Sequence, residues 1–303
     1  MKINESGSAE TVITGSRKNQ KINGAVCRNK DGFYSVTSGI NSIVIDPQAG
    51  GRIVSFKNCE FEFLTDKTVN ENNYGSTFWP SPQSFWNWPP PAVLDNKPYE
   101  AAASGKVVSL VSGTDPVTGL KFMKEFSAGD NNSINIIYTI INASAKPVNT
   151  APWEITRVRK GGLLFFPIGD DNMRGKQFEM ADYHIISEIL WYKDSPVKPE
   201  KHKLNIADGL EGWMAYAAGG KIFVKSFPDV KPEAQAPGEA EVLFYVSPEA
   251  DYIEIEVQGT YKEIQPSESS SWHMKWTGAD IPPGTGVVPG STKLVEFVRN
   301  MTI

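Results

Sequence analysis

Short β-rich runs, cut at near-regular intervals by glycine and proline, set the tightest limit on what this chain can fold into. The runs are FYSVTS (33–38), SIVID (42–46), RIVSFK (52–57), KVVSLVS (106–112), LKFMKEF (120–126), SINIIYTIIN (133–142), LLFFPI (163–168), KIFVKSF (221–227), EVLFYV (241–246), YIEIEVQ (252–258), SSWHMKW (270–276) and KLVEFV (293–298). Between them stand DPQAGG, GTDPVTG, AGDNNS, NASAKP, DVKPEAQAPGE and IPPGTGVVPG, rich in the residues that turns require. Helical periodicity is scarce; its best stretch runs roughly from Met180 to Tyr192. The pattern predicts an all-β chain with few short helices, most simply a large antiparallel β-sandwich. No break in composition and no internal repeat divides it, so 24–303 is read as one domain. Residues 1–23 are polar, without periodicity, and are expected to form a flexible arm or a weak edge strand.

Composition excludes some functions. The 303 residues carry a net charge of -5, and no cluster of Lys and Arg interrupts it, which argues against nucleic acid as a partner. No apolar run approaches the roughly 20 residues of a membrane helix. The N-terminal stretch lacks the apolar core of a secretory leader. A cytoplasmic protein is therefore expected, or a secreted or periplasmic one if a leader has been trimmed away. Cys27 and Cys59 fit no metal spacing; a single bridge between them stays open. No metal or cofactor is expected, because there is no P-loop, no GxGxxG after a strand and no G-x-S-x-G. His184, His202 and His273 lie far apart and are read as structural.

The stretch YGSTFWPSPQSFWNWPPP (74–91) holds three of the chain's 8 tryptophans, Trp79, Trp86 and Trp88. Proline removes donors, so the run is expected to be a rigid loop rather than a helix or a central strand. Such a loop either stacks its rings on the flat face of a sugar or folds down as an aromatic lid on the core. Trp79 and Gln83 are expected to face a cleft, with some of Phe78, Phe85 and Trp88 in the core.

Two strands carry the candidate chemistry. In YIEIEVQ, alternation places Ile253, Ile255 and Val257 on one face and Tyr252, Glu254, Glu256 and Gln258 on the other. A carboxylate there serves either as a general base with a raised pKa or as one residue of a wet sheet face. In APWEITRV (151–158), Trp153, Ile155 and Arg157 share one face and Glu154, Thr156 and Val158 the other. Glu154 is a candidate acid or ligand, and Arg157 a candidate donor to sugar hydroxyls or a carboxylate. A mutual ion-pair network is the competing reading.

The order of these motifs resembles the galactose mutarotase-like, or aldose 1-epimerase-like, superfamily. AGGRIVSF (49–56) matches its glycine turn and following strand, and YGSTFWPSPQ matches its cleft loop. IIYTIINASAKPV (136–148) matches its strand pair with an asparagine turn. Glu256-Val257-Gln258 matches its catalytic Glu-x-Gln strand, and IQPSESSSWHMKW (264–276) the turn and strand that follow, with Ser267 in place of glycine. The resemblance implies the supersandwich fold, a sugar cleft, and Glu256 as base. It departs at two places. TAPWEITRV lacks the family's acid histidine, leaving Glu154 as the titratable replacement. Trp79-Pro80-Ser81-Pro82-Gln83 replaces the family's arginine-rich loop.

The expected function is thus a carbohydrate-binding protein, a sugar epimerase using Glu256 and Glu154, or else a non-catalytic saccharide module or accessory domain. Trp79, Gln83, Trp86, Trp88, Arg52, Arg157, Lys124, Lys225 and Gln258 complete the expected site. The partner is a small-molecule or oligosaccharide ligand, taken up by a monomer or dimer. The four cations leave room for a uronate or phosphate.

Overall fold

The computed structural model describes residues 24–169, 179–195 and 197–302; the arm expected over 1–23 lies outside them. Two antiparallel sheets, of 11 and 10 strands, account for nearly all of the regular secondary structure among the described residues. This is the antiparallel sandwich that the strand and turn pattern predicts. Tyr34–Ser38 and Ser269–Asp280 show why: every second residue is buried, so each strand offers one apolar face to the other layer. Phe56, Phe63, Phe78, Phe122, Tyr138, Phe223 and Trp276 fill the space between the sheets.

The centre of the first sheet positions the site. There Ser76–Ser81, Val148–Arg159, Tyr252–Gln258 and Val242–Val246 lie side by side. The register sets Trp79 opposite Trp153, and Trp153 opposite Gln258. It also sets Ile155 opposite Glu256 and Arg157 opposite Glu254. Paired residues share a face, so Trp79, Trp153, Arg157, Glu254 and Glu256 all point away from the second sheet. Phe78, Glu154, Thr156 and Ile255 point towards it.

Four expectations about elements need correction. First, Ser76–Ser81 is a strand inside a sheet, although it contains Pro80. Pro80 stands opposite Pro152, so neither is asked to donate to the other. Its other side is free of a ladder as well, since this strand meets Arg52–Asn58 only at Ile53 and Ser76. Second, 180–192 is not helical: His184–Ile186 and Ile189–Lys193 form a hairpin. Ser187 and Glu188 turn it with φ of 54° and 60°, the left-handed pair that hairpin turns use, here without the glycine that announces it. Third, KLVEFV lies in the helix Thr292–Thr302. Leu294, Val295 and Val298 are its buried residues, a helical spacing, and they pack with Trp191, Trp213 and Phe165 on the outer face of the second sheet. Fourth, the strands either side of the asparagine turn, Ile134–Asn142 and Val148–Arg159, belong to different sheets. Asn142 stabilises the crossing by donating to the carbonyls of Lys146 and Ile264 at 2.7 and 2.8 Å.

The glycine turn does form as expected. Gly50 has φ of 71°, and a Cβ there would fall 1.9 Å from the Asp95 carbonyl oxygen. Cys27 and Cys59 are both free and exposed, which closes the question of a bridge. Among the described residues no helix is long and apolar enough to cross a membrane.

Candidate functional site

A cleft of about 460 Å³ opens on the outer face of the first sheet. Its floor is the strand Tyr252–Gln258, contributing Tyr252, Glu254 and Glu256. One wall is aromatic, with Trp79, Trp88 and Trp153 beside Gln83. The other is built by Tyr245, Leu243, Leu204, His202 and Glu249. Glu239 and the 70–73 loop close the ends.

The tryptophans brace one another edge to face. Trp79 meets Trp86, Trp88 and Trp153 at centroid distances of 5.8, 5.9 and 5.6 Å, with interplanar angles of 71°, 74° and 87°. Trp79 is further tied down by donating its indole N–H to Asp95 at 2.7 Å, and Asp95 also meets Arg52 at 3.5 Å. Trp86 donates to the Pro80 carbonyl at 2.6 Å and packs behind Trp79 and Trp153. Trp88 is 59% exposed, at the rim. Phe78 is core as expected, whereas Phe85 is exposed and Trp88 belongs to the cleft.

Glu256 is 3% exposed and lines the floor. The Trp153 indole donates to its Oε2 at 2.8 Å. Burial first, and then the neighbouring Glu254, push its carboxyl up to about 8; the Trp153 bond and Arg157 oppose the rise. Arg157 lies wholly buried beneath the aromatic wall. Its Nε donates to Glu254 and its Nη1 to Thr77, both at 2.8 Å, and its guanidinium covers the Trp79 ring at 5.4 Å. Gln258 accepts from Ser81 at 2.5 Å and donates to Glu239 at 3.4 Å. Thus Arg157 and Gln258 hold lining residues in place from underneath.

The remaining candidates lie elsewhere. Glu154 points into the sandwich interior, where it is fully buried and receives Ser76, Thr156 and Lys225. Lys225 also donates to the Ile255 carbonyl at 2.7 Å. Glu154 therefore cannot face Glu256 across a sugar ring: one residue of offset in pleated strands separates them by the thickness of the sheet. The acid–base pair expected from the sequence does not exist. Lys124 is also interior, donating to the Gly50 carbonyl at 2.8 Å, and its burial lowers its pKa to about 7. Arg52 spends its charge on Asp95 and donates to the Asn72 carbonyl at 2.8 Å. The four cations that left room for an anionic sugar are all committed inside the protein.

Several lining residues were not anticipated. Trp153 was placed on the right face without a role. Tyr252 and Glu254 follow from the same alternation that selected Glu256. Tyr245 sits opposite Glu254 in register, and its phenol is hydrogen-bonded to His202 Nδ1. His202 thus lines the cleft, with its Nδ1 engaged by Tyr245. Glu239 lies in PGEAE, which turn chemistry marks as a loop and nothing more. Among the described residues no three His, Cys, Asp or Glu are grouped to hold a metal.

Solved structures define the class of fold. A galactose mutarotase-like protein from Clostridium acetobutylicum superposes with a TM-score of 0.53 at 10% identity, over 86% of this chain and 100% of the other. A galactose mutarotase related enzyme from Lactobacillus acidophilus gives 0.55 at 10%, over 86% and 98%. A TPR-domain containing protein from Parabacteroides distasonis gives 0.60 at 14%; 86% of this chain is covered, and this chain spans about half (49%) of that protein. The fold is thus galactose mutarotase-like. No curated protein matches the sequence. A family profile described as "Domain of unknown function (DUF4380)" matches residues 68–278, and the chain belongs to that family.

Proposed function

We propose that the cleft binds a saccharide. The observation that carries this reading is the meeting, in one cavity, of three tryptophan rings with buried carboxylates and the Gln83 amide. Rings take the apolar face of a sugar, and the polar groups take its hydroxyls. Titration calorimetry over a panel of monosaccharides and short oligosaccharides tests it. Binding by the wild type that falls at least tenfold in Trp79→Ala and Trp88→Ala is expected; heat unchanged by both substitutions would refute it.

A second reading, mutarotation in the same cleft, is favoured by the raised carboxyl of Glu256, which suits a general base near neutral pH. The proton donor then comes from the Tyr245–His202 pair, since Glu154 lies on the wrong face. Tyr245 is a diagonal cross-strand neighbour of Glu256, roughly 7–8 Å away between backbone positions. Anomer exchange followed by NMR is expected to slow about 10²–10⁴-fold in Glu256→Gln. Binding without any acceleration of exchange by the wild type would leave a pure binding protein.

A further inference from the structure

The charges around this cleft are lopsided. Glu239, Glu249, Glu254 and Glu256 line it, and among the described lining residues His202 is the only basic side chain. Arg157 neutralises Glu254 from below but does not line the cavity: its Nε and Nη1 are taken by Glu254 and Thr77, and its Nη2 is buried without a hydrogen-bond partner among the described residues. The aromatic wall adds to the imbalance, because the faces of Trp79, Trp88 and Trp153 carry negative quadrupole density that attracts cations.

One atom marks where a cation would sit. Glu256 is 97% buried by the 3% exposure above, and its Oε2 is engaged by Trp153, yet its Oε1 receives no hydrogen bond from any described residue. Glu256 lines the cleft, so a donor on a ligand there can reach that oxygen. From these facts we propose that the saccharide carries a free amine, an amino sugar whose ammonium meets Glu256 Oε1 against the tryptophan wall. Uronates and sugar phosphates are correspondingly disfavoured. The inference rests on the saccharide reading of the cleft and adds the chemical class.

A proton balance follows. The groups facing Glu256 are Glu254 on its own strand, Arg157 on the neighbouring strand, Glu239 at the end of the cleft, and Lys225 from the other sheet behind it. Together with burial they leave its carboxyl largely protonated at pH 7. An ammonium beside Oε1 favours the carboxylate, so binding drives that proton off to solvent. A neutral sugar does not.

The experiment is calorimetry at pH 7 in two buffers of different ionisation enthalpy. The probes are glucosamine, galactosamine and mannosamine, the N-acetyl form of each, and glucuronate and galacturonate. At least one amine is expected to bind about tenfold to a hundredfold tighter than its N-acetyl form, the range of a charge-assisted hydrogen bond. It should release close to one proton, and uronates should bind more weakly still. Glu256→Gln should abolish the release and collapse the preference; a circular dichroism spectrum matching the wild type shows that it is folded. If N-acetyl or uronate forms bind as well as the amines, or if the amines bind without releasing a proton, the amine inference is overturned while the saccharide reading stands. If no sugar of any series binds, both fall.

Discussion

Glu256 makes the folded protein sensitive to pH even without a ligand, and Glu256→Gln exposes that. In the unfolded chain the carboxyl titrates near 4.5, and in the folded protein near 8. A raised carboxyl pKa means that the folded state binds a proton more tightly than the unfolded state. Stability from this group is therefore full below about pH 4.5, declines as pH rises, and levels off above about 8. The largest slope for one group is about 1.4 kcal/mol per pH unit, so the loss between pH 5 and pH 7 approaches about 3 kcal/mol. Glutamine keeps an oxygen for the Trp153 indole and does not titrate. Urea unfolding of both proteins at pH 5, 6, 7 and 8 should give a stability difference, Gln minus Glu, that grows steadily with pH and then stops growing. Glu241, also raised to about 8 by burial, titrates in both proteins and cancels from the difference. Parallel pH curves would refute the argument, since they would mean that Glu256 ionises in the folded state as easily as in water.

Three further outcomes follow from the geometry. Lys225→Met strips Glu154 of its ion-pair partner in the interior and should cost about 3–5 kcal/mol in urea unfolding, whereas Lys225→Met combined with Glu154→Leu should recover most of that; equal losses in single and double variants would mean that the pair is unimportant. Gly75→Ala should destabilise by about 2 kcal/mol or more, because Gly75 has φ of 61° and a Cβ would stand 2.3 Å from the Ile53 carbonyl oxygen; an unchanged melting midpoint would contradict this. Trp88→Ala, at an exposed rim, should change stability by no more than about 0.5 kcal/mol while weakening saccharide binding about tenfold, so a large drop in melting temperature would assign Trp88 to the fold.

What the sequence makes legible here is what depends on local period. The division of YIEIEVQ and APWEITRV into two faces needs only the pleat, and it holds for every residue of both strands. KLVEFV failed because six residues with three β-branched or aromatic positions satisfy both periods, and only the burial of Leu294, Val295 and Val298 distinguishes them. The Ser187–Glu188 turn carried no glycine, so the hairpin was invisible. Pro80 misled for a different reason: its tolerance depends on where the neighbouring strand stops, a fact of tertiary pairing that composition does not contain. The cleft was partly legible through Trp79, Gln83, Trp88 and Glu256. Glu239, Tyr245 and His202 reach it from two other segments, and their convergence is a product of sheet order alone.

The contrast between Glu154 and Glu256 shows how a sheet separates scaffold from site. Both glutamates sit in central strands of the same sheet, both are buried, and they lie on adjacent strands. Glu154 faces inward, where Lys225 and the hydroxyls of Ser76 and Thr156 satisfy it; all of its acceptor capacity serves the sandwich. Glu256 faces outward, where an indole satisfies one oxygen and no cation among the described residues makes a salt bridge to it. Arg157, on the same outer face, is spent on Glu254. The protein thus commits Lys225 to Glu154 and Arg157 to Glu254, while Glu256 faces the cleft. A register slip of a single residue in Tyr252–Gln258 would send Glu256 inward and bring Ile255 or Val257 to the cleft floor. The apolar face of that strand, packed against the second sheet, forbids the slip, so the hydrophobic core is what keeps Glu256 in the cleft.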